Sequence, residues 1–245
     1  MFHLLKKIKK YLINNISPDE AFRYKPLASF LKNRLSPTDL VIEFGSGDVG
    51  MSPYLKKAKI TGLETEFLNT RNSKIEKIIY DGKTAPFPDN YFNYAVSADC
   101  LEHVKPSERE SFISEIFRIT KNGILLIFPS GQMAANSDKI LLDIFKKNHQ
   151  YSNKYLEEHC ENGLPDIETI KKYIEGAARS KGVNIDLEIK NIMNIWVRNL
   201  YIRPKFKGGT LGSIFYFLFT IFIPISSIFN FGDCYWKFIN IKIKN

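Results

Sequence analysis

Glu43-Phe44-Gly45-Ser46-Gly47-Asp48-Val49-Gly50 decides how this chain is read. It closes the apolar run Leu40–Phe44, which is short, rich in apolar side chains and bounded by glycines, the pattern of a buried strand. Glycines at G-x-G-x-x-G spacing let a chain turn sharply and bring its backbone close to a ligand that a Cβ would push away. Dinucleotide binders and plain strand-to-helix turns share that spacing, so the surrounding residues must choose between them. Glu43, two residues before the first glycine, is unwelcome beside a pyrophosphate and suits a cationic ligand. Glu64 ends the next apolar run, Lys59–Glu64, about where an acid would accept both hydroxyls of a ribose.

Outward from this turn, short apolar runs alternate with helical spacing. Ser17-Pro18-Asp19-Glu20 predicts a helix start, with Ser17 as N-cap and Glu20 closing a capping box, and the helix runs to about Leu35. Strands are expected at Ile75–Tyr80, Tyr94–Ala98 and Gly123–Phe128, with a helix at Ser107–Thr120 before the last of them. Helices near Ser137–Phe145 and Pro165–Ser180, a strand near Ile185–Ile189 and an alternating strand Cys234–Ile243 complete the chain. The order predicts an α/β fold, a doubly wound and mostly parallel seven-stranded sheet with an apolar helical insertion before the last strand.

Downstream of the glycines come Asp81-Gly82, the loop Pro86-Phe87-Pro88-Asp89-Asn90-Tyr91-Phe92-Asn93, the segment Leu101-Glu102-His103-Val104 and the junction Glu115–Gly123. With these motifs in this order, residues 36–130 resemble the class I S-adenosylmethionine-dependent methyltransferases, in particular the type 11-like group with a "PFPD…F" loop and an "LEHV" segment. Two departures are Asn93, where the family usually has Asp, and Asn122-Gly123 in place of Gly-Gly. The resemblance implies a Rossmann-like fold with S-adenosyl-L-methionine as cofactor. Glu43, Gly45, Ser46, Gly47 and Gly50 would hold its methionine end, Glu64 its ribose, Asp81 with Gly82 its adenine edge. Asp99 is expected either to contact cofactor or acceptor or to cap a helix.

Acceptor-side candidates follow the fourth strand and the fifth. His103 is a candidate general base, and His149 and His159 flank Tyr151 and Tyr155 in a stretch where such enzymes grow substrate-binding insertions. A packing role competes for each. No third ligand accompanies the histidines in sequence, so no metal is expected. The whole chain reads as one methyltransferase domain: N-terminal helices in 1–35, cofactor core in 36–130, substrate cap in 131–181, apolar insertion in 208–232 and last strand in 234–243.

The composition limits the partners. The chain is 44% hydrophobic and 25% charged, which excludes a disordered chain. Cys100, Cys160 and Cys234 form no C-x-x-C, which favours a reducing compartment over a disulfide framework. The basic start runs into Asn14 and Asn15 rather than a long apolar run, so no secretory signal is expected.

The net charge of +9 comes from the two ends. Residues 1–16 hold Lys6, Lys7, Lys9 and Lys10 without an acid; residues 200–245 hold Arg203, Lys205, Lys207, Lys237, Lys242 and Lys244 against Asp233. A nucleic-acid binder would spread basic residues over a folded face. Here they bracket the uncharged, Phe- and Ile-rich stretch Gly208–Gly232, which is long enough to span a bilayer. Pro224, Ser226, Ser227 and Asn230 inside it, and a last strand returning to the sheet, favour an element lying in a membrane interface. A lid packed on the soluble core is the alternative. Residues 2–13 are expected to add a weaker amphipathic helix.

The reading is therefore methyl transfer, by in-line displacement, to a small or lipid-linked acceptor: a sugar hydroxyl of a surface glycan in polysaccharide biosynthesis, a quinone or a lipid headgroup. The expected place is the cytoplasm, at the inner face of the cell membrane, without nucleic acid as partner. The alternatives are a membrane-peripheral scaffold without turnover, which should have lost the acids, and an NAD-dependent epimerase or dehydrogenase, whose Tyr-x-x-x-Lys dyad is missing past the fifth strand.

Overall fold

A computed structural model of the chain describes residues 17–56, 58–68, 71 and 73–244; the helix expected over residues 2–13 lies outside them. Strands β1 (Leu40–Phe44), β2 (Lys59–Glu64), β3 (Glu76–Ile79), β4 (Phe92–Ala98), β5 (Thr120–Pro129), β6 (Asn184–Asn194) and β7 (Cys234–Lys244) form one sheet in the order β3-β2-β1-β4-β5-β7-β6. The first five are parallel, and β7 runs antiparallel between β5 and β6. The strand order reverses between β1 and β4. In an open α/β sheet a ligand binds at such a reversal, in the crevice beyond the carboxyl ends of the strands.

Both faces of the sheet are covered. Helices α1 (Pro18–Lys32), α3 (Gln132–Asn148) and α6 (Ile195–Lys207) pack on Val41, Val96, Leu125, Trp236 and Phe238. Helices α2 (Arg109–Ile119) and α5 (Ile167–Lys181) pack on Ile42, Phe44, Leu126, Ile239 and Ile241. The alternation expected in the last strand appears in this division, because successive side chains of a strand point to opposite faces. Ser17 caps α1, its hydroxyl accepting from Glu20 N at 3.1 Å. Between β4 and α2 a single 3-10 turn, Pro106–Glu108, takes up what the sequence reads as the start of the helix. β5 begins at Thr120 rather than Gly123, since Thr120 pairs with Phe92 ahead of an irregularity in the register.

Two helices escape the sequence pattern. α4 (Lys154–Asn162) buries only Leu156, too little to show a period, and α6 carries Pro204 and apolar residues around its circumference. The crossover from β1 to β2 is made by turns over residues 47–54 rather than by a helix. The region read as a substrate cap also divides. α3 packs on the face that α1 and α6 cover, whereas α5 buries Ile170, Ile174, Ala177 and Ala178 against the face that α2 covers.

After α6 the chain continues as α7 (Gly209–Leu218) and a 3-10 stretch, Phe219–Phe229, kinked at Ile225. This run is long and apolar enough to cross a membrane by length and composition, with mean hydropathy 1.9, yet it lies along the molecule. Tyr216 and Phe219 pack on Tyr201, and Lys25 Nζ donates to the Ile223 carbonyl. Its outer side exposes Leu211, Ile214, Leu218, Ile221, Ile225 and Ile228.

Candidate functional site

The glycine turn closes over Glu43. That side chain is fully buried at the end of β1, its Oε2 accepting from Met51 N at 2.8 Å. Burial pushes its carboxyl up to about 7, against the pull of that amide and of Tyr24. Gly50, at φ +51°, lies directly on the Glu43 carboxylate, so a Cβ there would collide with Oε2. Gly45, at φ +71°, faces Cys100, whose Cβ would be 2.5 Å from an added Cβ. Gly47 has φ +55° and open space where a side chain would project, and its amide donates to Glu64 Oε1 at 2.6 Å. Ser46 is buried, its hydroxyl donating to the Gly47 carbonyl. Burial raises the Glu64 carboxyl above the ordinary carboxylate range.

At the end of β3, Asp81 Oδ1 accepts from Lys83 N and Thr84 N, and these amides hold its carboxyl below the ordinary range. Gly82 completes the turn at φ +80°. Both bonds go to one oxygen. Glu64 and Asp81 thus stand at neighbouring strand ends, with Glu64 against Gly47. Two carboxylates and a glycine turn with free room above Gly47 suit a cationic nucleoside such as S-adenosylmethionine.

The second half of the crevice follows β4. Asp99 adopts φ +48°, a region Asp tolerates better than most residues. It caps no helix: Arg23 Nη1 donates to Oδ2 at 2.5 Å, and Trp236 Nε1 donates to Oδ1 at 2.7 Å. Glu102 is wholly buried with neither carboxyl oxygen hydrogen-bonded, and burial together with Asp99 pushes its carboxyl well up. His103 Nδ1 lies 2.7 Å from Glu158 Oε2, and His159 Nδ1 lies 2.8 Å from Asp138 Oδ2. The two imidazoles are 4.9 Å apart, and His159 Nε2 is 3.9 Å from Glu102 Oε1. Burial and the neighbouring His159 hold His103 below the ordinary histidine range, so it is neutral near pH 7. Asp138 also accepts from the Tyr235 hydroxyl at 2.8 Å, while Arg198 stacks 3.4 Å over the Tyr235 ring.

His103 and His159 therefore meet, brought together by α4 folding over the segment after β4. His149 does not join them. It stacks on Phe145 at 4.2 Å and its Nε2 donates to the Phe206 carbonyl, which makes it a packing residue between α3 and α6. The sequence also passed over Arg23, Asp138, Glu158 and Trp236. Each is a polar group or indole in an otherwise ordinary helix or strand, and only the fold turns them to one point. Glu102 stood in a quoted segment, but its burial had no local signal.

The family model described as "Methyltransferase domain" matches residues 42–128. The fold is shared with a putative methyltransferase from an antibiotic biosynthesis pathway of Anabaena variabilis (TM-score 0.56, 12% identity, 89% of this chain and 98% of that one). It is shared with the plantazolicin methyltransferase BpumL in complex with SAH (TM-score 0.57, 13% identity, 98% and 90%). Phosphoethanolamine N-methyltransferase 2 of Haemonchus contortus, with S-adenosyl-L-methionine bound, superposes at TM-score 0.54 and 15% identity over 88% of this chain and 51% of that one. A comparison with curated protein sequences found no match.

Proposed function

We propose that this chain, whose core is that of a class I S-adenosylmethionine-dependent methyltransferase, methylates an oxygen of a lipid-linked acceptor at a membrane surface. The observation that carries the membrane part is the apolar outer side of residues 209–229, a run in which Tyr216 is the one buried residue. Leu211 is 83% exposed and Ile221 69%, with Trp196 and Phe231 exposed nearby in sequence. A patch of this kind marks a contact surface. Each such side chain fully withdrawn from water contributes about 1.5–3 kcal/mol. Each lysine or arginine near an anionic leaflet adds about 1 kcal/mol.

A cavity of about 380 Å³ between α1, β6 and the 3-10 stretch adds to this reading. It shares no residue with the glycine turn or the histidine pair, and Lys25 and Lys190 line it together with Phe22, Phe30 and Ile192. Two lysines beside apolar walls suit the phosphate and first carbons of a lipid-linked sugar. A sugar hydroxyl on a membrane-bound glycan intermediate is thus the acceptor we favour, at the cytoplasmic face.

In this reading Glu64 holds the ribose hydroxyls, Asp81 the adenine edge, and the turn Gly45–Gly50 over Glu43 the methionine end. S-adenosylmethionine supplies a methyl group on a positively charged sulfur, so the chemistry is an in-line displacement at an already activated carbon. The chain's contribution is position: acceptor oxygen in line, about 3–3.5 Å from the methyl. Asp99, locked by Arg23 and Trp236, stiffens the wall between the two halves of the crevice.

Flotation with anionic liposomes, together with transfer of labelled methyl into a lipid extract, tests the proposal. The wild-type chain is expected to float, and Leu211→Ser/Ile221→Ser/Ile225→Ser to stay behind with unchanged affinity for S-adenosylhomocysteine. Equal flotation of both would overturn membrane attachment. Label confined to the aqueous phase would overturn the lipid-linked acceptor.

A further inference from the structure

Glu102, His103 and His159 bring three ligand atoms within 4.8 Å of one another. Each imidazole gives its Nδ1 to a carboxylate, His103 to Glu158 and His159 to Asp138, so the Nε2 of each ring is left for a ligand. Metal-bound histidines characteristically have this arrangement, because the carboxylate fixes the tautomer and turns the ring. Glu102 supplies the independent observation. Its side chain is wholly buried, both oxygens lack a hydrogen-bond partner, and His159 Nε2 stands 3.9 Å from Oε1. A buried carboxyl without partners needs an explanation, and an ion is one of the few available. The other carboxylate here, Asp99, is already committed to Arg23 and Trp236.

We propose that Glu102, His103 and His159 bind one divalent transition-metal ion, whose open coordination positions take an oxygen of the acceptor. Two imidazoles and one carboxylate suit Zn²⁺, Co²⁺ or Mn²⁺, whereas Mg²⁺ and Ca²⁺ favour all-oxygen sites. Ligand atoms about 2.0–2.2 Å from a common ion lie about 3.4 Å apart in a tetrahedral site, so closing this one from separations of up to 4.8 Å takes side-chain shifts of about 1 Å. Three protein ligands leave at least one position for substrate, as in catalytic rather than structural sites. Cys100 lies against Gly45 and within electrostatic reach of both Glu64 and Glu102, which puts this cluster beside the cofactor half of the crevice. The acceptor role rests on the methyl-transfer reading; the metal binding does not.

The test is titration of the metal-stripped full chain with Co²⁺, followed by its visible d–d absorption, then by Zn²⁺ and Mg²⁺ competition. We expect one Co²⁺ per chain, displaced by Zn²⁺ and untouched by Mg²⁺. Glu102→Gln and His159→Asn should each weaken it at least about tenfold, and Glu158→Gln about 10- to 100-fold, with affinity for S-adenosylhomocysteine retained. Absence of saturable Co²⁺ binding, or binding unchanged in Glu102→Gln, would overturn the site. Should a variant lose S-adenosylhomocysteine binding as well, imidazole NMR of the wild-type chain decides. The chain has four histidines, and substoichiometric Co²⁺ should shift or broaden two of them first. A uniform effect on all four, or none, would reject the proposal. Metal binding without a lipid-soluble product would leave this site standing while the acceptor class falls.

Discussion

Glu43 shows how a single buried acid ties stability to pH. Its ordinary value near 4.5 rises to about 7 in the fold, so the folded chain keeps a proton that the unfolded chain has lost. Stability from this group is full below pH 4.5 and is lost as pH rises toward and through 7, by about 3 kcal/mol for the whole shift. Urea unfolding at pH 5 and pH 8 should show a fall in the wild-type chain that is about 2–3 kcal/mol smaller in Glu43→Gln. Glu64 carries the clearest ligand prediction. Its carboxylate accepts from Gly47 N at the lip of the open turn, and a charged hydrogen bond to a ribose contributes about 1.5–3 kcal/mol. Glu64→Ala is therefore expected to weaken S-adenosylhomocysteine binding about 10- to 100-fold, measured by calorimetry. Both acids were legible in the sequence as types at strand ends. That one would be sealed beneath glycines and the other left half-buried at the lip of the turn was not, because burial depends on the turn that follows.

Among the elements, the apolar run before the last strand is tied down at its far end. Asn194 caps α6 by accepting from Trp196 N and Val197 N, and its Nδ2 donates to the Phe231 carbonyl at the far end of the 3-10 stretch. One side chain thus joins two points of the chain that are 37 residues apart. Asn194→Ala should cost about 1–2 kcal/mol, since it removes a cap and leaves a carbonyl unpaired. Asn194→Asp keeps the cap and loses only the donor, so its loss in thermal unfolding should be smaller. If Asn194→Asp melts with the wild-type chain, the tether to Phe231 contributes nothing. Sequence periodicity announced this run by hydropathy alone. Its course along α1 and β6, with Pro224 and the kink at Ile225, follows from contacts such as Lys25 to Ile223 and Asn230 to Met193.

For the molecule as a whole, the decisive feature is that the final strand is internal. β7 pairs with β5 over Gly123–Pro129 and with β6 over Asn184–Asn194, so neither neighbour is complete until the carboxyl-terminal residues arrive. A chain ending at residue 233 would expose two sheet edges and the apolar faces that Trp236, Ile239 and Ile241 cover. Such a truncation is expected to aggregate or to be rapidly proteolysed. Far-UV circular dichroism and limited proteolysis of the truncated and full chains check this, and a truncated chain that melts cooperatively at the same temperature would contradict it.

By itself the sequence determined the strand and helix alternation, the glycine turn and the acids at the ends of the second and third strands. Those signals are local: periodicity, caps and φ requirements are written within a few residues of where they act. Tertiary structure alone decided which polar groups share a site. His159 and His103 are 56 positions apart in the chain, and Glu102 gains its meaning only when α4 folds over it and α3 brings Asp138 behind His159. His149, equally promising as a residue type, was turned instead into the gap between Phe145 and Phe206. Packing chose between the two histidines, because a side chain's partners are set by the helices that meet around it and not by its neighbours along the chain.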